Sequence, residues 1–293
     1  MKRLLLALRL LLALLLAGSA GAVMADANEL RAMHAQLREQ LRNNSYQRAL
    51  YIESAETGDT LKGEVYAVLD HSFATLSEAL KDPNGWCDIL ILPFNTKYCH
   101  PVTGANGTQL LMRIGRKADQ AVNNAYRVDF TLRPVAASAD YFESRLNAGK
   151  GPLGTHDYRI VLSAVPLDGK RTFMHLSYAY GYGGMGRMAM QGYLSTVGAN
   201  KVGFSITGRD GSGQPIYTGG VRGAIERNVM RYFLAVDSHL ASLSAAPDQQ
   251  LEKRITTWFD ATEKYARQLH EMDRSTYLAM KRGEYERQQA MIE

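Results

Sequence analysis

The sequence predicts an α+β fold, a curved antiparallel sheet of about seven strands gripping a long C-terminal helix, with helices added at the N- and C-terminal ends. Three observations predict it. Runs between residues 125 and 182 alternate with period two: Tyr126, Val128, Phe130 and Leu132 share one face while Arg127, Asp129, Thr131 and Arg133 share the other, the pattern of a sheet covered on one side. A strand-like run over 61–69 leads into two short helical stretches before the next strand. Finally, residues 220–243 carry Val221, Ile225, Val229, Tyr232, Phe233, Val236 and Leu240 as one apolar stripe, with Arg222, Glu226, Arg227 and Arg231 mostly off it.

Residues 1–25 read as a secretory signal peptide. Lys2, Arg3 and Arg9 make a basic start, residues 4–16 are almost unbroken leucine and alanine, and small residues follow over 17–22. The apolar run is shorter than the roughly 20 residues of a membrane-spanning helix, so cleavage and a periplasmic location are expected. Losing this segment lowers the formal charge from +5 to about +2, which removes any footprint for nucleic acid. Cys87 and Cys99 are the only cysteines, and in an oxidising compartment they are expected to form a disulfide. A Cys99 nucleophile beside His100 is the alternative, though no third group is evident to orient it.

Residues 28–42 place Leu30, Met33, Leu37 and Leu41 at helical spacing, and Asn43-Asn44 stops that helix. Two strand-like runs, 48–56 and 61–69, flank the turn Thr57-Gly58-Asp59. Ser72 offers an N-cap for a helix over 73–80, Asp82-Pro83-Asn84-Gly85 ends it, and a second helix over 86–92 closes at Pro93. Further strands are expected over 96–100, 109–115, 125–134, 156–166, 171–182 and 201–207, with a hairpin at Asp168-Gly169. Residues 248–293 are highly charged and helical, with Trp258, Phe259 and Tyr277 among their apolar positions. The expected organisation is therefore a signal peptide (1–25), an N-terminal helix and extra strand (28–60), a main domain (61–245) and a C-terminal helical extension (248–293). That extension reads as solvated helices packed on the domain, or as a contact surface for an envelope protein or the membrane surface.

The stretch from Phe73 to Trp86, in which a helix ends at Asp82-Pro83 before a tryptophan, and the element order over 61–243 resemble the START-like, or helix-grip, superfamily, which includes the birch-pollen allergen proteins and the aromatic polyketide cyclases. The resemblance covers roughly 180 residues and implies a strand, two short helices, six further antiparallel strands and a long helix closing an apolar cavity. The extra strand, the added helices, the cysteine pair and the long 181–198 segment depart from the family pattern.

A cavity of that kind would have Tyr126, Val128, Phe130, Tyr158, Ile160, Leu162, Tyr178 and Tyr180 as its wall and Ile225, Val229, Tyr232 and Phe233 as its roof. The glycine- and methionine-rich segment after Tyr182, with Met185 and Met188, suits a lid, because flexible thioethers repack around varied apolar shapes. Arg113 and Arg116 could meet an acidic head group at the rim. The seven histidines show no metal spacing, and phosphate-binding and nucleophile-elbow motifs are missing, so no metal and no cofactor is expected. The expected function is a periplasmic binding or carrier protein for a hydrophobic small molecule or lipid, such as a sterol-like or polyprenoid compound. Two alternatives stay open: a cyclase- or hydrolase-type enzyme with His156 or His239 as base, and an envelope interaction protein with a filled core.

Overall fold

Eight strands, β1 (Leu50–Thr57), β2 (Thr60–Leu69), β3 (Thr96–Gly104), β4 (Gly107–Ile114), β5 (Tyr126–Ala137), β6 (Phe142–Lys150), β7 (Thr155–Pro166) and β8 (Thr172–Tyr182), form one antiparallel sheet in the order β1-β2-β8-β7-β6-β5-β4-β3. Helices α1 (26–36) and α2 (Arg38–Arg42) precede it, and α3 (Phe73–Lys81) and α4 (Pro83–Leu90) separate β2 from β3. After β8 come α5 (Gly184–Leu194), a small hairpin of β9 (Ile206–Arg209) and β10 (Pro215–Tyr217), then α6 (Gly220–Ser242), α7 (Gln250–Glu263), α8 (Ala266–Leu269) and α9 (Arg274–Ala290). This computed structural model describes residues 26–290 apart from 106, 197 and 199, and leaves out the side chains of 185 and 193; the signal peptide expected over 1–25 lies outside the described residues. From β2 to α6 the arrangement is that of the helix-grip fold, with β1 added at the edge.

Local chemistry explains the helix pair. Ser72 Oγ accepts from Thr75 N at 3.1 Å, and Asp82, which ends α3, also starts α4 by accepting from Asn84 N at 2.9 Å. Pro83 sits in the first turn of α4, where its missing N–H costs nothing. Cys87 on α4 is bonded to Cys99 on β3, with Cα atoms 5.2 Å apart, so the helix pair is stapled to the far edge of the sheet. Between β1 and β2 the chain turns at Gly58-Asp59, with Thr57 opposite Thr60 and Gly58 at φ +62°.

Two strand assignments change. The seventh strand of the grip is β6, where Phe142, Leu146 and Ala148 are buried on alternate positions among Glu143, Ser144 and Arg145, too few apolar residues for the alternation to stand out. Residues 201–207 contribute only Ile206 and Thr207 to a separate two-stranded hairpin. Phe204 is buried there while Ile206, two positions on, is exposed, so the run does not keep the single buried face of a sheet strand.

α6 lies on β1, β2 and β8 by one side and against α4 and α7 by the other. It is therefore buried nearly all round, and Glu226, Arg227 and Arg231, which the stripe placed off the buried face, are 0%, 1% and 4% exposed. Gly63 on β2 permits the close approach, since a Cβ there would stand 3.1 Å from Ile225 and 3.2 Å from Val229. The C-terminal helices belong to the same core: Trp258 and Tyr277 stack with ring centroids 5.2 Å apart, and Phe94 meets both edge-on. Trp258 Nε1 donates to the Arg231 carbonyl at 3.1 Å, and Tyr277 Oη donates to the Leu92 carbonyl at 3.0 Å. The apolar faces expected on a solvated extension are thus spent inside the protein. On the outer face of the sheet, Leu30, Leu37 and Leu41 of the N-terminal helices cover Tyr66, Val165 and Phe173 in a second, smaller core.

Candidate ligand site beneath the long helix

Because α6 lies over β1, β2 and β8, the strands beyond it face a hollow of about 340 Å³. Its wall is built by the inward positions of four strands: Met112 and Ile114 from β4, Val128 and Phe130 from β5, Tyr158 from β7, and Tyr178 and Tyr180 from β8. Ala224, Arg227, Asn228, Arg231 and Tyr232 of α6 form its roof, and Gly186, Ala189 and Met190 of α5 cover one side. Asn95, Lys117, the turn Pro152-Leu153 and Thr155 at the start of β7 complete the lining. Leu153 is 50% exposed at the rim and holds φ +56°, a left-handed conformation that a branched side chain adopts only where its surroundings enforce it.

The wall is aromatic. Tyr158 stacks on Tyr180 at 5.3 Å, Tyr178 meets Tyr232 edge-on at 5.1 Å, and Phe130 meets Tyr158 edge-on at 6.1 Å. Tyr178 and Tyr232 also share a side-chain hydrogen bond, and Tyr158 Oη lies 2.6 Å from Thr155 Oγ1. Burial pushes all four phenols above their ordinary range, which keeps them neutral hydrogen-bonding groups.

Charge is confined to one part of the lining. Arg231 Nη2 and Lys117 Nζ each lie 2.6 Å from Glu271 Oε1, and Lys201 Nζ lies 2.8 Å from Glu271 Oε2. Arg227 Nη1 donates to the Val202 carbonyl at 3.2 Å. Burial, then the neighbouring Arg231 and Lys201, bring Lys117 down to about 8 against the opposing pull of Glu271. Burial alone would raise the Glu271 carboxyl, but Arg231 and Lys117 hold it below its usual value.

Of the residues expected at a cavity, Val128, Phe130, Tyr158, Tyr178, Tyr180 and Tyr232 come together in the lining. Ile160, Leu162, Ile225, Val229 and Phe233 do not; they are at most 1% exposed and fill the solid core between sheet and helix. Tyr126 has the inward parity but stands at the start of β5, past the covered area, and is 52% exposed. Met188 is 69% exposed, because the segment forms α5 and the helical period turns it away from Met190; the Met185 side chain lies outside the described residues. Arg113 and Arg116 do not reach the lining, where Lys117, Arg227 and Arg231 stand instead. The signal for the last two was a second period on α6: Ala224, Arg227, Asn228, Arg231 and Tyr232 repeat at three- and four-residue steps beside the apolar stripe.

Neither histidine considered as a base enters the hollow. A one-residue register shift between His156 and Arg159 breaks the alternation of β7, so Tyr158 faces inward while the His156 ring lies over Gly181, 2.4 Å from where a Cβ would stand on the face away from Tyr180. His239 is buried between α4 and α7, 4.0 Å from Asp88, whose carboxylate pairs with Arg254 at 2.5 Å. Asp237, its neighbour in sequence, turns the other way to Arg48 at 2.9 Å and His71 at 3.3 Å. Among the described residues, no three or more His, Cys, Asp and Glu side chains converge on a metal position, and no helix is long and apolar enough to cross a membrane.

No family model matches the sequence, and no curated protein matches it. Among solved structures, the chain is similar to an aromatase/cyclase from Streptomyces sp. R1128, with 14% identity over 67% of this chain and 98% of that one and a TM-score of 0.38. It is also similar to Ara h 8.0201, with 11% identity over 62% and 99% of the two chains and a TM-score of 0.37. A third similar structure is norcoclaurine synthase from Thalictrum flavum in complex with dopamine and hydroxybenzaldehyde, with 16% identity over 50% and 88% and a TM-score of 0.30.

Proposed function

We propose that this chain is a periplasmic binding or carrier protein that holds a hydrophobic molecule in the hollow beneath α6 without turning it over. The observation that carries this reading is the wall of Phe130, Tyr158, Tyr178, Tyr180 and Tyr232 around about 340 Å³ of space. Ligand sites are concave and mostly apolar with a few polar groups, and range over roughly 300–1,000 Å³. A volume near the lower end of that range suits one acyl or prenyl chain, or a small ring system, better than a two-chain lipid. Export rests on the basic, leucine-rich and small-residue segments over 1–25. The enzyme reading depended on His156 or His239, and both stand outside the hollow. The envelope-partner reading depended on the apolar faces of residues 248–293, which pack against α6 and β3.

The test is purification from the native envelope followed by solvent extraction and mass spectrometry, beside the variant Ala189→Trp. Ala189 lines the hollow from the surface helix α5, so an indole there fills the space without disturbing the core. An apolar molecule that copurifies with the native protein and is lost from the variant is the expected result. If the native protein carries none and binds no lipid probe, the reading fails.

A further inference from the structure

Three of the four phenols around the hollow are engaged with a neighbour. Tyr178 and Tyr232 share a hydrogen bond, and Tyr158 Oη lies 2.6 Å from Thr155 Oγ1. Tyr180 differs. It lines the hollow and is only 4% exposed, yet its hydroxyl has no hydrogen-bond partner among the described residues. A buried tyrosine hydroxyl normally finds a partner, and one without costs folding free energy unless the space beside it supplies the missing group. The carboxamides of Asn228 on α6 and Asn95 before β3 also line the hollow and also lack a partner among the described residues. The cations of the lining are held elsewhere, Lys117 and Arg231 by Glu271 and Arg227 by the Val202 carbonyl. The polar groups left for a ligand are therefore neutral.

We propose that the molecule held in the hollow is a planar ring compound with a neutral oxygen function, a carbonyl or a hydroxyl, that bonds to Tyr180 Oη while its ring packs among Phe130, Tyr158 and Tyr178. This rests on the reading of the hollow as a ligand site and selects the ring system over the acyl or prenyl chain. Tyr158 lies nearly parallel to Tyr180, with 17° between the ring planes, whereas Phe130 stands across Tyr158 at 84°. The wall thus offers both ring faces and ring edges, which an aromatic guest matches through its own quadrupole and a chain does not. A rigid ring also gives up fewer rotamers than a chain on confinement. Tyr180 Oη suits either oxygen function, since a phenol donates to a carbonyl and both donates to and accepts from a hydroxyl. Asn228, one helical turn before Tyr232, adds a second neutral donor and acceptor.

Equilibrium dialysis of the delipidated protein and of Tyr180→Phe against acetylnaphthalene, ethylnaphthalene, methyl decyl ketone and naphthoate tests this. The first three probes have equal carbon counts and carry ring and carbonyl, ring alone, and carbonyl alone. Tyr180→Phe keeps the ring and removes the oxygen, so it is expected to weaken acetylnaphthalene about two- to ten-fold, the value of one net hydrogen bond, and to leave ethylnaphthalene unchanged. A loosened site would weaken both. Corrected for partition into octanol, acetylnaphthalene is expected to bind more tightly than methyl decyl ketone by a similar factor, from its aromatic contacts. If Tyr180→Phe spares acetylnaphthalene or weakens both naphthalenes alike, the Tyr180 anchor fails; if the chain ketone binds equally, the choice of a ring fails. Naphthoate binding more tightly than acetylnaphthalene would make the site one for anions and overturn the neutral head. In each of these cases the hollow remains a ligand site. If no probe binds, both readings fall.

Discussion

Lys97 Nζ lies 2.9 Å from Glu284 Oε1, and neither side chain has any exposed surface. Lys281 Nζ reaches the other oxygen of Glu284 at 2.6 Å and donates to the carbonyls of Pro93 and Thr96 at 2.8 and 3.0 Å. One carboxylate thus holds two buried ammoniums and pins α9 to the start of β3.

Glu284→Gln strands both lysines in the interior and is expected to cost about 3–5 kcal/mol, because removing one partner leaves uncompensated buried charge. Arg282→Ala, also on α9, which breaks the half-exposed pair with Glu252 of α7, is expected to cost less than about 1 kcal/mol. Urea denaturation midpoints measure both; equal losses would mean that Glu284 does not anchor the helix.

His239 predicts a pH dependence. Burial, and then the charge of Arg254, bring it down to about 3 from the ordinary imidazole value of 6.5. Between those values the unfolded chain binds a proton that the native protein refuses. Its contribution to stability is therefore full above about 6.5 and is lost as pH falls toward 3, by about 1.4 kcal/mol per unit. His239→Leu is expected to flatten the fall in unfolding free energy between pH 6 and pH 4, and an unchanged slope would contradict the assignment.

Gly223 predicts a reversal of helix propensity. Alanine in place of glycine normally stabilises a helix by about 1 kcal/mol. Here a Cβ would stand 2.7 Å from the Thr218 carbonyl and 3.0 Å from Gly203 N, both backbone atoms that cannot swing aside. Gly223→Ala is expected to destabilise by about 1–3 kcal/mol, while Gly192→Ala on α5, with open space around it, should be neutral or stabilising. Thermal unfolding of the two variants decides this.

Reducing the Cys87–Cys99 bond, or replacing both residues by alanine, is expected to lower stability by about 3 kcal/mol, the loop-entropy value for a closed segment of this size. The denaturation midpoint with and without reductant reads the change. The double variant should be insensitive to reductant.

What could be read in the sequence was local or periodic. The β1–β2 turn, the Ser72 and Asp82 caps, the outward and inward faces of β5 and β8, and the extent of α6 all follow from residues within a few positions of one another. The site was half legible for the same reason: strand parity identified Val128, Phe130, Tyr158, Tyr178 and Tyr180 as inward. Parity does not say how far along a strand the covering helix reaches, so Tyr126 and Ile160 looked alike although one is exposed and the other buried. β6 was hidden because its inward positions include Ser144.

By itself the sequence determined the order of elements, their faces and the pairing of its two cysteines, since turn chemistry, capping and side-chain alternation act over short separations. Only the tertiary structure decided where α6 crosses the sheet, and with it which inward residues line a hollow and which fill the core. It also decided the fate of the charges. Arg227 and Arg231 read as positions off the apolar stripe, yet they, like Lys97 and Lys281, are buried because α7, α9 and residues 201–205 close over them from other parts of the chain. Burial of a charge depends on partners brought from far away, and no local pattern in the sequence carries that information.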